Sequence, residues 1–387
     1  MGDKMFRLCR NKRKGDEKIR IMHVSGQLDV GGLDELLWIT AKFNLQEKYD
    51  LAFTACQSRD GYISRQIQKL GYCVYGLNIT QRIYDLRIIP RLIRIFNIYK
   101  PHIVHIYFKI NFFGRIAAKM AGVPITICHE VDMDWEGYGL RIIAMIKRKL
   151  GFLADKVIAS SMAVRKYWDK KGSKKYLVVY EPCDLTKFPR INYLSNGNSY
   201  KNGEYPVLGT VSRIWPRKGH EDLIRAMPKI IEAFPSTRLK IVGTGPLMTE
   251  MKSLVESLGL WKIIQFTGFV EDVYQALFSM DVFVFPTLTE AFPISVMEAM
   301  AVELPIAASA VGGIPEMIEH GKTGLLFSAG NPDSLAKAVI EMLSDYERAI
   351  LMGKRAKQKV IKEFSPELYI KKLDSLYQEL LEAKGLL

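Results

Sequence analysis

Glu290 and Glu298 stand eight residues apart in FPTLTEAFPISVMEAMAVELPIAAS, residues 285–309. The pattern predicts a strand ending at Pro286, a polar loop to Pro293 and a helix from Ile294. A helix start offers N–H groups without intrahelical partners and a partial positive charge, both of which suit a diphosphate. Glu298, inside the helix, can accept hydrogen bonds from two vicinal hydroxyls, as on a ribose. Glu290, at the helix entrance, lies where a sugar attached to that diphosphate would be held. By spacing alone the same two residues read as a capping acid in a loop and a surface acid on a helix.

A second group of chemistry-bearing residues is GTVSRIWPRKGHEDLI, residues 209–224. Arg213 and Lys218 follow a buried strand, in the loop that leads to the next helix. Cations there can neutralise a leaving diphosphate, Arg through a bidentate fork and Lys as a point charge, although isolated loop cations are usually solvated. Arg217 is a third, less favoured cation. VGTGP (242–246) sets Gly243 after a strand, and SAVGGIPEMIEHGKTGLLF (309–327) sets Gly312 and Gly313 before Glu316. In the first half, HVSGQLDVGGLDELL places Gly31 and Gly32 just before a helix. Glycines there either let the backbone approach a phosphate or sugar, or make a tight strand-to-helix turn. His129 ends the strand PITICHE at its carboxyl end and is followed by Glu130, Asp132 and Asp134. His105 lies inside PHIVHIYF, where a strand more often buries a satisfied imidazole than exposes a catalytic one.

The elements that must hold these residues alternate. Short β-rich runs and helical patterns follow one another through both halves, the signature of parallel α/β sheets. In the first half the expected strands are 19–26, 51–57, 102–108, 124–130 and 156–161, closing with 176–185. The second half offers 207–212, 238–243, 262–268, 281–286, 305–310 and 324–327, then helices over 346–362 and 366–383. Residues 186–205, TKFPRINYLSNGNSYKNGEY, have the composition of a linker. Ligands of open parallel sheets sit beyond the carboxyl ends of the strands, so two facing sheets would hold their site in the cleft between them.

Length and composition agree with two soluble domains: 387 residues, 48% hydrophobic and 25% charged. No run of 18 apolar residues predicts a spanning helix, and the polar, basic start lacks the apolar core of a secretory signal. Five cysteines, odd in number and without a C-x-x-C pair, suggest neither a disulfide framework nor zinc, and predict reduced thiols in a cytosolic protein. The net charge of +14 falls entirely in residues 1–185, which hold 32 basic and 18 acidic residues against 23 and 23 in the remainder. A basic half attracts phosphate on a lipid surface or an acceptor. YGLRIIAMIKRKLGFLADK (138–156) adds Arg141, Lys147, Arg148 and Lys149 to an apolar pattern, a composition shared by helices on anionic membranes and by core helices with a basic outer face. No helix-turn-helix, RNP-type or zinc-finger motif supports nucleic acid.

In order, strand–Arg–x4–Lys–Gly, VGTGP, FTGFV, E-x7-E, GGIPE and G-x-x-G resemble the C-terminal domain of retaining glycosyltransferase family 4, over about residues 206–345. The resemblance implies a GT-B fold: two facing Rossmann-like domains with a deep cleft between them. It implies a basic tail (1–18), an acceptor-side domain (19–185), a linker (186–205), a nucleotide-sugar-binding domain (206–365) and a C-terminal helix (366–387) packing back on the first domain. By the family pattern Arg213 and Lys218 hold the donor diphosphate, Glu298 the nucleotide ribose and Glu290 the transferred sugar. Ala291, Phe292, Pro293, Ile294 and Ser295 contact sugar and phosphate. Gly268, Phe269 and Val270 border the base, with Gly243, Gly31 and Gly32 also on the donor. His129 falls where the family has a histidine near the transferred sugar, and is taken with Glu290, Arg213 and Lys218 as catalytic. His105 belongs to a V-H-x-H pattern whose second histidine is Tyr107 here, and Asp34 stands where Glu is more usual. YEPCDLTKF (180–188) resembles the hinge N-G-V-D-x-x-x-F, with Glu181 and Pro182 in place of Asn-Gly.

The resemblance implies a retaining hexosyltransferase that needs no essential metal or other cofactor beyond its donor substrate. A glycan or lipid-linked acceptor and a cytoplasmic site, peripheral on an anionic membrane, complete the expectation. A sugar-nucleotide epimerase on the same scaffold and a non-catalytic subunit of a transferase complex are the rival readings.

Overall fold

The computed structural model describes residues 18–29, 31–56, 60–79, 85–133, 145, 149–188 and 205–387, less the side chain of Lys109. Positions 1–17 of the expected basic tail, most of the 138–156 stretch and linker positions 189–204 lie outside the described residues. The chain divides into two compact units. Unit 1 comprises residues up to Ser160 with Arg165–Val179 and Pro366–Leu387; unit 2 comprises Ser161–Val164 and Tyr180–Ser365. The division therefore falls after Val179, and the 180–185 segment goes with unit 2 instead of closing the first domain.

Unit 1 carries β1 (Ile19–Ser25), α1 (Gly32–Lys42), β2 (Tyr49–Ala55), α2 (Tyr62–Lys69), β3 (Cys73–Gly76), α3 (Ile88–Tyr99), β4 (Ile103–Tyr107), α4 (Asn111–Met120), β5 (Ile125–Glu130), β6 (Lys156–Ala159), α5 (Met162–Trp168, its first three residues in unit 2) and β7 (Tyr176–Val178). Its seven strands are parallel in the order β3-β2-β1-β4-β5-β6-β7. Unit 2 carries β8 (Val207–Val211), α6 (His220–Ala233), β9 (Arg238–Val242), α7 (Met248–Ser257), β10 (Ile264–Gly268), α8 (Val273–Phe278), β11 (Val282–Phe285), α9 (Ile294–Ala301), β12 (Ile306–Ser309), α10 (Ile314–Met317), β13 (Leu325–Phe327), α11 (Pro332–Ser344) and α12 (Tyr346–Glu363). Its six parallel strands run β10-β9-β8-β11-β12-β13.

Helices on both faces leave the central strands no wet side, which is why these read as continuous apolar runs. Every residue of β4, β5, β11 and β12 is buried. In each sheet the strand order reverses beside the first strand, between β1 and β4 and between β8 and β11. Such reversals open a crevice at the carboxyl edge, because the connections on either side leave in opposite directions.

The last helix, α13 (Pro366–Ala383), belongs to unit 1. Its Tyr369, Leu373, Leu376, Tyr377 and Leu381 are buried in one core with Ile21, Leu36, Phe53 and Ile103. Polar contacts fix its register: Tyr49 Oη donates to Asp374 (2.5 Å), Lys48 pairs with Asp374 (2.9 Å), and Tyr377 Oη meets His105 Nδ1 (2.8 Å). Cys56, Cys128 and Cys183 are free and buried. Among the described residues no helix is long and apolar enough to cross a membrane.

Candidate active site

The chemistry-bearing residues of unit 2 gather at the carboxyl ends of β8 and β11, on the two sides of the strand-order reversal. After β8 the chain makes a short helical turn, Pro216–Lys218, and Gly219 enters α6 with φ 66°. A Cβ on Gly219 would lie 1.9 Å from the Pro286 carbonyl oxygen, so only glycine lets this turn lie against the end of β11. Two donors then join the segments: Leu288 N–H and Thr287 Oγ1 both reach the Arg217 carbonyl, at 2.8 and 3.0 Å. Ser309 Oγ donates to the Thr287 carbonyl (2.5 Å) and fixes the loop from the β12 side.

This seam brings Lys218 onto Glu290, Nζ donating to Oε2. Their side chains are only 16% and 12% exposed, so the pair is largely shielded from water and its attraction exceeds that of a surface pair. Lys218 Nζ also lies 5.3 Å from the centre of the Phe285 ring. Beside it, buried His220 contacts Ser212 Oγ through Nε2 (3.1 Å). Burial, then the Lys218 charge, lowers this imidazole to about 4, so it is neutral at pH 7. Arg213 is exposed, its guanidinium 5.2 Å from the Trp215 ring centre.

Beyond Glu290 the loop is packed tightly. Ala291, Phe292 and Pro293 are buried, and Gly313 N–H donates to the Glu290 carbonyl (3.2 Å). A Cβ on Gly313 would sit 2.0 Å from the Ala291 carbonyl oxygen. Helix α9 begins at Ile294 with Pro293 as its cap and no side-chain capping bond. Its first backbone bond to Pro293 comes from Val296, so the N–H groups of Ile294 and Ser295 precede the intrahelical ladder. Ile294, Ser295 and Glu298 are half-buried. Gly243 closes against the first loop, with φ 133°, its N–H on the Gly268 carbonyl (2.8 Å) and a Cβ excluded by the Ser212 carbonyl at 2.0 Å. Phe269 is 62% exposed and Val270 half-buried. Glu316 instead accepts N–H bonds from Met162 (2.8 Å) and Ala163 (2.9 Å), capping the start of α5. A separate groove of about 520 Å³, lined by Tyr205, Arg238, Lys240 and Trp261 among others, lies at the opposite, amino end of β8–β10 and includes none of these residues.

In unit 1, Gly31 is extended (φ 165°, ψ 166°) and precedes α1, which Gly32 begins. Asp34 is buried in the first turn, where burial chiefly raises its carboxyl to about 7. His129, the histidine expected to be catalytic, ends β5. It is fully buried, its ring stacked on His105 (5.4 Å) and Tyr107 (5.2 Å), and neither nitrogen has a hydrogen-bond partner. His105 in turn lies 5.4 Å from His23. Burial lowers His23 and His129 to about 3 and puts His105 well below its ordinary value, so all three are neutral at pH 7. Its place at the carboxyl end of β5 agrees with the sequence reading, and its ring is fully buried there. Sequence reasoning missed that Glu181, the acid in place of Asn in the hinge motif, is buried.

Residues 196–359 match the sequence model of glycosyl transferases group 1. The GDP-mannose-dependent alpha-(1-6)-phosphatidylinositol monomannoside mannosyltransferase of Mycobacterium tuberculosis (strain ATCC 25618 / H37Rv) is 37% identical over 163 residues, 40% of this chain and 42% of that protein. The chain thus spans less than half the length of this relative. The UDP-Gal:alpha-D-GlcNAc-diphosphoundecaprenol alpha-1,3-galactosyltransferase of Escherichia coli is 26% identical over 388 residues, 95% of this chain and 98% of that protein. Among solved structures, Anabaena HepE in complex with UDP and glucose superposes with a TM-score of 0.79 at 19% identity, covering 93% of this chain and 99% of that one. Sucrose-phosphate synthase from Thermosynechococcus elongatus gives 0.77 at 20% identity, over 95% and 100%. These likenesses identify the fold as GT-B.

Proposed function

We propose, from the premise that residues 196–359 belong to the glycosyl transferases group 1 family, that this chain is a retaining hexosyltransferase. Its donor is a nucleotide-diphosphate sugar and its acceptor a glycan or lipid-linked saccharide, in the synthesis of surface polysaccharide or glycolipid. The observation that carries this reading is the Lys218–Glu290 pair across the strand-order reversal of unit 2, beside the open start of α9. A cation, a carboxylate and free N–H groups in one crevice are what a diphosphate with an attached sugar requires. The names of the relatives support the donor and acceptor classes, and HepE holds UDP in its crystal structure.

As the glycosidic bond to the donor breaks, positive charge develops on the sugar and negative charge on the departing diphosphate. Lys218, Arg213 and the Ile294 and Ser295 N–H groups stabilise that leaving charge, and Glu290 stands toward the sugar. Such fixed donors act before the charge arrives and need no reorganisation, so each lowers the barrier by about 2–4 kcal/mol. Retention follows from attack on the face the leaving phosphate vacates. No protein nucleophile is assigned. Activity is independent of Mg²⁺ or Mn²⁺, and transfer abolished by EDTA would contradict this. The basic first half fits a cytoplasmic membrane surface carrying the acceptor.

Calorimetric titration with UDP, GDP, UDP-glucose, UDP-N-acetylglucosamine and GDP-mannose tests the donor site. One nucleotide series should bind and lose at least about tenfold in affinity in Lys218→Ala. Binding by none of them would overturn the reading.

A further inference from the structure

The groove at the amino end of β8–β10 has no part in the reading above. β10 is the edge strand of its sheet, and burial alternates along the first residues of β9 and β10 instead of running through them. Leu239, Ile241 and Ile264 belong to the core of unit 2. Arg238 and Lys240 are half-buried on the other face, and the register sets exposed Gln265 beside Lys240. Such alternation marks a sheet face open to water.

Two loops and a helix build walls around that face. Trp261 and Lys262 come from the turn before β10, Lys252 from α7 and Tyr205 from the approach to β8. The Trp261 side chain is 59% exposed. The Arg238 guanidinium lies 5.1 Å from the Tyr205 ring centre and donates to the Ser236 carbonyl (3.1 Å), and Lys240 Nζ reaches the Ser279 carbonyl (3.4 Å). Neutral groups thus hold both cations and leave their charge in place. Among the described residues four cations and no acid line the groove. Its volume of about 520 Å³ falls within the range of small-ligand sites, about 300–1,000 Å³.

An occupant has to offer anionic groups to the four cations and a flat face to the Trp261 ring. The axial C–H groups of a pyranose carry partial positive charge and suit the negative face of an indole. A bilayer fits poorly, because Arg238 and Lys240 lie half-buried on the floor, below the reach of a headgroup plane. A long polyanion fits poorly too. Residues 186–387 balance 23 basic against 23 acidic side chains, so the positive potential is local to the groove.

We propose that this groove binds an acidic oligosaccharide, a pyranose ring lying on the Trp261 indole and its carboxylate or phosphate groups meeting Arg238, Lys240, Lys252 and Lys262. The choice of a saccharide rests on the glycosyltransferase reading; the groove itself does not. The site lies at the opposite end of the strands from the donor crevice, so it holds a glycan without reacting it. A polymer held there stays close to unit 2 between transfers, which raises its effective concentration at the active site.

NMR titration of the intact chain, with ¹⁵N in the tryptophan indoles, tests it. The Trp261 signal, assigned by its loss in Trp261→Phe, should shift with tetragalacturonate and hardly move with the neutral cellotetraose. Lys240→Gln/Lys262→Gln should need at least about tenfold more tetragalacturonate for the same shift. Added salt should weaken the wild-type response. An equal response to both tetrasaccharides, or to neither, overturns the inference. So does tighter binding of UDP or of a thymidine octanucleotide at Trp261, which would make the groove a nucleotide site. Calorimetry with UDP and GDP should give the double variant wild-type affinity; a loss there would make the groove part of the donor site and overturn it as a separate one. If neither nucleotide binds the wild type, the donor reading fails, while a Trp261 shift with tetragalacturonate alone still upholds the groove.

Discussion

Lys218 Nζ is hydrogen-bonded to Glu290 Oε2, although 72 residues separate them in sequence. The contact joins the connections after β8 and β11, the two strands flanking the reversal of strand order in unit 2. Substituting either partner leaves the other largely shielded from water, so the effects will not add. Lys218→Ala should lower kcat/KM by roughly 10²–10³, and the Lys218→Ala/Glu290→Gln double variant should lose much less than the product of the two single losses. Steady-state kinetics on the four proteins checks this; additive free-energy losses would mean that the residues act independently.

His23, His105 and His129 make the protein acid-sensitive. Their folded values lie below the unfolded value near 6.5, about 3 for His23 and His129, so the unfolded chain binds more protons between about pH 6.5 and pH 3. Stability is complete above about pH 6.5 and drains away as the pH falls through this window, by roughly 1.4 kcal/mol per pH unit for each histidine. His129→Phe, which keeps a ring in the stack, should flatten that slope by about one histidine's share. Urea unfolding at pH 7.0, 5.5 and 4.5 measures it, and an unchanged slope would show that His129 is already charged in the folded protein.

Arg115 and Glu130 form a second shielded pair (3.2 Å, both side chains 3% exposed), with Arg115 Nε also on Cys128 Sγ (3.0 Å). Arg115→Met should destabilise unit 1 by about 3–5 kcal/mol, because the buried Glu130 would lose the cation it faces while keeping only neutral donors such as Asn111 Nδ2 (3.2 Å) among the contacts described. Adding Glu130→Gln should recover a substantial part of the loss. Chemical denaturation followed through unit 1 decides it; a cost below about 1 kcal/mol would mean that water reaches Glu130.

Gly219→Ala should separate the Lys218 turn from the loop carrying Glu290. The added Cβ meets a carbonyl oxygen, which no rotamer change can relieve, and φ 66° is strained for alanine. Nucleotide affinity should fall at least about tenfold, with a lower melting temperature. Gly259→Ala shares the positive φ but meets no atom within 4 Å, and should keep its affinity.

The alternation of strands and helices was legible because strands buried on both faces must be apolar throughout; VFVF at 282–285 and HIVHIY at 102–107 leave little choice. β3 was not legible. It has four residues, ends in glycine and lies at a sheet edge, so burial does not constrain both its faces. Arg213, Lys218, Glu290 and Glu298 could be picked out only as an ordered set, since each alone has an ordinary surface reading. Their pairing was hidden, because the Arg217 carbonyl and the glycine at 219 create it through backbone contacts that no spacing rule records. For His129, sequence gave position along the strand but not depth, which depends on the rings of His105 and Tyr107 from the neighbouring strand.

The return of α13 to unit 1 also orders events during synthesis. Tyr369, Leu373 and Tyr377 emerge from the ribosome after all of unit 2, yet they complete the core around β1 and β2, which emerge before it. Unit 2 can therefore finish folding while unit 1 still holds an open apolar face. Until α13 is released, that face stays available to chaperones and to neighbouring chains. A ribosome that stops short of residue 366 would release a chain with a finished second unit and an aggregation-prone first.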